Sequence, residues 1–323
     1  MKLKFEKWHG CKNDFIVTRV FENDTMTLQS LCQQASALCS RQGGGIGADG
    51  LIILHPKSKT DLFPNKITII NSDGSMAATC GNGLRCAALS VLKAWRDIGN
   101  PLEPPEGVEF QITANSELGR KVFCRYLSDR TLTPGDRLWP LVSVDMGQVQ
   151  MGSEVGAKEK TQIRLAKVIK ENHLDGRING SDVCAIGNLH LVVFASDADC
   201  GLMRQLGPPM QEGQNYDGIN VHVAKGLCLE PKEKARLGRL FSDLSEDGFE
   251  VWVWERGAGE TQACGSGACA VVVAAAEQGD APTNRWVPVK MPGGMLLVNW
   301  NKEERQVTLA GPAEFIFDGV LDF

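Results

Sequence analysis

Short apolar runs of strand character alternate with helical stretches along the chain. "LIIL" (51–54), "KITII" (66–70) and "FEVWVW" (249–254) are rich in β-branched and aromatic residues and predict strands. "LQSLCQQASALCSR" (28–41) predicts a helix that ends at a glycine-rich loop. Two other stretches, "TCGNGLRCAALSVL" (79–92) and "QACGSGACAVVVAAA" (262–276), are runs of small and branched apolar residues that predict buried helices. Each opens with a cysteine and a Gly-polar-Gly turn, and packing alone does not account for those glycines. Segments 56–65 and 97–107 read as surface loops.

The two cysteine stretches are copies of one pattern. Cys80 aligns with Cys264 at an offset of 184 (264 − 80), which also matches Gly81 with Gly265 and Gly83 with Gly267. Nine positions upstream of each cysteine stand Asn71 and Glu255, each at the end of a strand-like run. Earlier in each half, "HGCKNDFIV" (9–17) and "IGNLHLVVF" (186–194) both set an Asn and a His beside an apolar run of strand type. The chain therefore reads as duplicated, one copy per domain, with "VDMGQVQMG" (144–152) as the crossing point. The fold class expected is α/β, of the α+β type, in two pseudo-symmetric halves.

Length agrees with this, because 323 residues are long for one domain. Hydrophobic residues at 43% and charged residues at 23% are ordinary for a globular protein. A net charge of −5 argues against nucleic-acid or anionic-membrane partners. The N-terminal "MKLKFEKWHGCKNDF" has no apolar core of a signal peptide, and the apolar run 268–276 is too short to span a bilayer. Eleven cysteines, an odd count, fit free thiols in a reducing cytoplasm better than a disulfide framework. The N-x-[ST] matches at Asn23 and Asn179 then carry no meaning. Cys32, Cys39, Cys124, Cys184, Cys200 and Cys228 are read as small buried hydrophobes.

No C-x-x-C or H-E-x-x-H is present, so no metal site is expected. "GIGADG" (45–50) satisfies G-x-G-x-x-G, but a helix precedes it and a strand follows, the reverse of a dinucleotide fingerprint. It is read as a loop entering a strand.

A thiol at a helix N-terminus sits in the partial positive charge of the helix dipole, which lowers its pKa from about 8.5 toward neutrality. The unpaired N–H groups there also form an anion site, and glycines let a carboxylate approach. Two such ends could hold one carboxylate between two thiols. That suits moving a proton from one face of an α-carbon to the other, with a thiolate as base and a thiol as acid. No cofactor is required: the N–H groups meet the charge that develops on the carboxylate.

The stretches "NSDGSMAATCGNGLRC" (71–86) and "ERGAGETQACGSGAC" (255–269) resemble the two active-site segments of the diaminopimelate epimerase family. "HGCKNDF", "GGGIGADGL", "GNLHLVVF", "MPGGMLLVNW" and "GPAEFIFDGVL" are similar to its other landmarks, in the same order. The resemblance spans the whole chain. It implies two similar domains, each a barrel-like mixed sheet around a central helix, with the active site in the cleft between them. Residues 1–143, rejoined by 310–323, would form the first and 144–309 the second. It implies Cys80 and Cys264 as the acid–base pair, with Gly81, Asn82, Gly265 and Ser266 on the reacting carboxylate. Asn13, Asn71, Asn188, Asn220, Glu255 and Arg256 fall where the family binds the remaining polar groups of the substrate. His190 and Glu255 fall where it places auxiliary residues beside the reacting ammonium. On its residues alone, His190 reads as a satisfied core histidine.

The implied activity is that of a PLP-independent isomerase interconverting LL- and meso-diaminopimelate, in lysine and peptidoglycan biosynthesis. A racemase or epimerase of another amino acid, and a non-catalytic binding protein, are the alternatives. Both thiols are present, which speaks against the last. Arg256, taken as buried, favours a dicarboxylic substrate. The sequence departs from the family pattern at Cys11-Lys12, with Lys12 read as solvated, and at Leu189, and has extra length near 55–66, 95–107 and 125–140. The partner expected is the small-molecule substrate; assembly is left open, a homodimer included.

Overall fold

A computed structural model describes residues 2–77, 80–99, 105–114, 117–127, 141–151, 154–211 and 218–322. Most of the extra length at 125–140, and part of that at 95–107, lies outside the described residues. The chain divides into two compact units, Met1–Asp145 with Gly311–Phe323, and Met146–Ala310.

In the first unit the elements are β1 (Lys2–Gly10), β2 (Asn13–Arg19), α1 (Thr25–Cys39), β3 (Gly50–Leu54), β4 (Lys66–Asn71), α2 (Gly81–Asp97), β5 (Gly107–Ala114), β6 (Glu117–Leu127) and β7 (Leu141–Gln148). The second contains β8 (Gln150–Met151), α3 (Lys158–Glu171), β9 (Gly180–Ile186), β10 (Asn188–Phe194), α4 (Cys200–Leu206), β11 (Asn220–Cys228), α5 (Pro231–Gly238), β12 (Asp247–Glu255), β13 (Gly259–Thr261), α6 (Gly265–Gln278), β14 (Trp286–Met291), β15 (Gly294–Asn301) and β16 (Gln306–Pro312). A last strand, β17 (Glu314–Asp322), pairs antiparallel with β1 in the first unit.

The duplication is visible in strand pairing. From β1 to β7 neighbouring strands run β1-β2 antiparallel, β2-β3 parallel, β3-β4 antiparallel, β4-β5 parallel, then β5-β6-β7 antiparallel. The second unit repeats that alternation as β9-β10, β10-β11, β11-β12, β12-β14 and β14-β15-β16.

In each unit the sheet surrounds one helix. α2 is buried from Gly81 to Leu92 and touches β1, β2, β3, β6 and β17. α6 buries Gly265 and the whole run from Gly267 to Ala276, and touches β9, β10, β11, β12 and β15. Three consecutive valines, Val271 to Val273, are poor helix formers because of their β-branches. Full burial outweighs this, at about 1.5–3 kcal/mol for each side chain. The helix therefore owes its stability to the sheet around it.

The more ordinary helices lie outside. α1 is capped by Asp24, which accepts from Thr27 N (3.1 Å), and buries a Thr27, Leu31, Ala35, Cys39 stripe at four-residue spacing. Among the described residues no helix is long and apolar enough to cross a membrane.

All eleven cysteines are free. Cys39, Cys124 and Cys184 are buried as expected, whereas Cys32 and Cys200 are half-buried. Cys228 is exposed: it ends β11, where the strand leaves the core.

Candidate active site

Cys80 and Cys264 each occupy the N-cap of the central helix of their unit, with extended backbone, and the helix begins at the following glycine. Gly81, Asn82, Gly265 and Ser266 thus hold the first-turn N–H groups that have no partner within a helix. The side chains around the two thiols differ.

In the first unit Cys80 Sγ accepts from Gly83 N at 3.3 Å. Asn82, 4% exposed, donates to Asn13 Oδ1 (3.1 Å) and accepts from Arg85 Nη2 (2.9 Å). Asn13 in turn donates to Asp49 Oδ2 (2.8 Å), and Arg41 bonds both Asp49 and Asp14. Burial alone would raise the Asp14 pKa, but Arg41 and Lys7 hold it down at about 2. Arg85 is fully buried on α2 and also donates to the carbonyls of Gly81 (3.2 Å) and Pro312 (3.2 Å). It fixes the amide of Asn82 with its Oδ1 facing the guanidinium. Asn71 is exposed and bonds Ser75 in its own turn (2.9 Å). Lys12 is exposed, at a positive φ of 65°. The structure therefore joins Asn13 to Asn82 and leaves Asn71 with a local partner.

In the second unit Cys264 is 5% exposed, its Sγ lies 3.6 Å from Ser266 Oγ, and its N–H points to Met291 Sδ (3.4 Å). The expected lowering of the thiol pKa does not hold here. Burial pushes it well above the usual value, and the nearby Glu255 carboxylate pushes the same way, against weaker help from Ser266 and the Gly267 N–H. Desolvation outweighs the helix end because the charged form loses its water. Cys264 is held as a neutral thiol, the form of an acid.

Glu255 ends β12 and accepts from Thr261 Oγ1 (2.5 Å). The chain then turns: Gly257 adopts φ 80°, a conformation glycine takes freely, and β13 folds back antiparallel on β12. The turn sends Arg256 toward Asn220, whose Oδ1 accepts from the Arg256 N–H (2.9 Å) and whose Nδ2 donates to Leu189 O (3.3 Å). Arg256 is exposed, not buried, since it rides on the turn beyond the strand. Asn188 is also exposed, and Leu189 half-buried.

His190 and His222 are both fully buried, with His190 Nδ1 2.9 Å from His222 Nε2. Gly267 makes room for them: a β-carbon at that position would overlap the His222 ring. Desolvation lowers the pKa of His190 to about 3 and holds that of His222 well below its usual value, with help from His190. Both rings are therefore neutral. His190 is not the satisfied core histidine its sequence suggests, because its Nε2, like His222 Nδ1, is buried without a partner.

The pH consequence has a definite sign. The folded rings bind protons less tightly than unfolded histidine, at about 6.5. Stability from keeping them neutral is present above that value and declines as pH falls from 6.5 toward 3, by at most about 1.4 kcal/mol per unit for each ring. The urea midpoint of the wild type is expected to fall more steeply below pH 6.5 than that of His190→Gln/His222→Gln. Parallel slopes would contradict the neutral-pair assignment.

Sequence reasoning missed Arg85, Asp49 and His222. Arg85 could have been found as the lone charge in the apolar stretch from Gly81 to Leu92. His222 lies two positions after Asn220 on β11, hence on the same face, as His190 lies two after Asn188 on β10. Asp49 gives no such signal.

The diaminopimelate epimerase family model matches residues 5–102 and 183–316. The chain is 33% identical to the diaminopimelate epimerase of Desulforudis audaxviator, over 98% of each chain. It is 32% identical to that of Desulfitobacterium hafniense, over 99% of this chain and 98% of the other. A Bacillus anthracis phenazine biosynthesis protein of the PhzF family shares the fold, with a TM-score of 0.61, 11% identity and full coverage of both chains.

Proposed function

The chain belongs to the diaminopimelate epimerase family, and from that membership we propose that it interconverts LL- and meso-diaminopimelate with Cys80 and Cys264 as its acid–base pair. The observation that carries this reading is the repeated helix end. Two units with the same strand alternation each place one thiol at the N-cap of their central helix, followed by glycine.

The chemistry follows from what each group can do. The thiolate of one cysteine removes the α-proton and becomes a thiol. The thiol of the other delivers its proton to the opposite face and becomes the thiolate. Between the two events the carboxylate carries the extra charge, and in this reading the N–H groups of Gly81, Asn82, Gly265 and Ser266 meet it. Each acid–base group contributes roughly 10²–10⁴-fold. Cys264, raised by burial and by Glu255, starts as the acid, which assigns the base to Cys80 in that direction; the reverse reaction exchanges the roles. Glu255 and His190 serve the ammonium side. Asn13 orients Asn82, and Asn71, Asn188 and Asn220 serve the other polar groups of the substrate. The free thiols support a cytoplasmic setting.

Arg256 is assigned to the distal carboxylate. Because it is exposed, the pair is discounted to the lower part of the range for charged hydrogen bonds. Arg256→Met is expected to lower kcat/KM for diaminopimelate about tenfold. The test is a panel of LL-diaminopimelate and monocarboxylic L-amino acids, followed for α-hydrogen exchange with wild type and variant. Selective turnover of diaminopimelate, weakened by the substitution, supports the reading. Preferred turnover of a monocarboxylic amino acid would make the chain a racemase of that substrate instead.

A further inference from the structure

The buried histidine pair is not explained by packing alone. One hydrogen bond joins the rings, and each neutral imidazole carries a single N–H. Whichever ring donates, the pair is left with one N–H that has no acceptor and one lone pair that has no donor. The atoms concerned, His190 Nε2 and His222 Nδ1, are buried and unpartnered. Leaving such a group buried and unsatisfied is destabilising. Gly267 is needed as well, to admit the His222 ring. Beside the pair stands the Cys264 sulfur: one nitrogen of each ring and this sulfur all lie within 4.8 Å of one another, and all three residues are buried.

We propose that His190, His222 and Cys264 form a binding site for a thiophilic divalent cation, with Zn²⁺ the best fit, and that occupation silences the Cys264 thiol. The inhibitory half rests on the role given to Cys264 above; the binding half does not.

The donor set fits the ion. Two neutral imidazoles and a thiolate are ligands that zinc takes at about 2.0–2.3 Å, with a fourth position left for water. Drawing the three atoms onto one ion requires side-chain movements of about an ångström. The rings need no deprotonation, being already neutral. The cysteine exchanges its S–H bond for an S–metal bond, one proton leaves to solvent, and no electrons are transferred. Hard cations such as Mg²⁺ and Ca²⁺ prefer oxygen and find none in this set. A metal-bound sulfur can neither deliver nor accept the α-proton.

Cobalt reports on such a site without relying on activity. Purified full-length protein, reduced and then freed of reductant, is titrated with Co²⁺ and then with Zn²⁺ in competition. The wild type is expected to bind Co²⁺ with a thiolate-to-metal charge-transfer band that Zn²⁺ abolishes. Cys264→Ser should lose that band, and His222→Gln should weaken binding by about tenfold or more, the scale on which even supporting groups act. Circular dichroism and thermal melts establish that each variant is folded. A wild type without the band, or a band retained in folded Cys264→Ser, overturns the proposal. In the activity arm, Zn²⁺ should stop α-hydrogen exchange and a chelator should restore it. A chain with the cobalt band but no epimerase activity would refute the function proposed above while leaving the metal site standing. An active epimerase without the band would do the reverse.

Discussion

Cys80→Ala and Cys264→Ala are each expected to lower epimerisation by at least roughly 10²–10⁴-fold while leaving the fold intact. On the proposed mechanism, alanine at either N-cap removes the group assigned to one face of the α-carbon. Because the two thiols act as a unit, the double variant should be little worse than either single one. Elimination of a leaving group from a β-substituted substrate analogue needs only a base. The variant that keeps the basic thiolate should therefore retain that reaction better than epimerisation. Cys264 is buried, so its loss leaves a small cavity, and melting temperature must be measured beside activity. Substantial epimerisation by both single variants would end the two-thiol account.

The second large effect concerns position 267. In an ordinary helix interior, alanine is more favourable than glycine by about 1 kcal/mol. Here the added methyl would meet the buried His222 ring, which is hemmed in on all sides. Overpacking of this kind costs about 1–3 kcal/mol and can exceed it. Gly267→Ala is therefore expected to lower stability, reversing the sign that helix propensity alone predicts. His222→Ala in the same chain should recover much of the loss, giving a positive coupling in a double-mutant cycle. A stable Gly267→Ala protein with no coupling to His222 would show that the glycine serves only the approach of a ligand.

These two cases mark what the sequence could convey. Local patterns were legible where the cause is local. A cysteine followed by Gly-polar-Gly and a small apolar run identifies a helix N-terminus in a crowded sheet, and both α2 and α6 begin where that pattern places them. The strand ahead of each helix was legible from its branched and aromatic residues, and "GIGADG" is indeed a loop that enters β3.

What could not be read depends on neighbours far along the chain. A helix end visible in sequence predicts a lowered thiol pKa, whereas the desolvation of Cys264 and the approach of Glu255 are tertiary facts. Taken as buried, Arg256 favours a dicarboxylic substrate. It lies instead on the turn beyond β12, and exposure cuts its expected contribution. His222 had the same-face relation to Asn220 in plain view, but its partner His190 comes from a different strand, 32 residues away. The spacing rules for zinc motifs apply to residues close in sequence, and His190, His222 and Cys264 are not.

On the proposed mechanism, two different groups handle the proton on the two faces of the α-carbon. The direct measurement is a single turnover of LL-diaminopimelate in D₂O, with the hydrogen isotope at the inverted α-carbon of the meso product read by mass spectrometry and NMR. With a separate base and acid, the abstracted proton stays on one thiol while the other delivers a solvent-derived deuteron. Essentially all of the product should carry deuterium at the inverted centre, and unreacted LL substrate should carry little. Product that retains the original hydrogen would mean that one group carries the proton across, which contradicts the two-thiol mechanism.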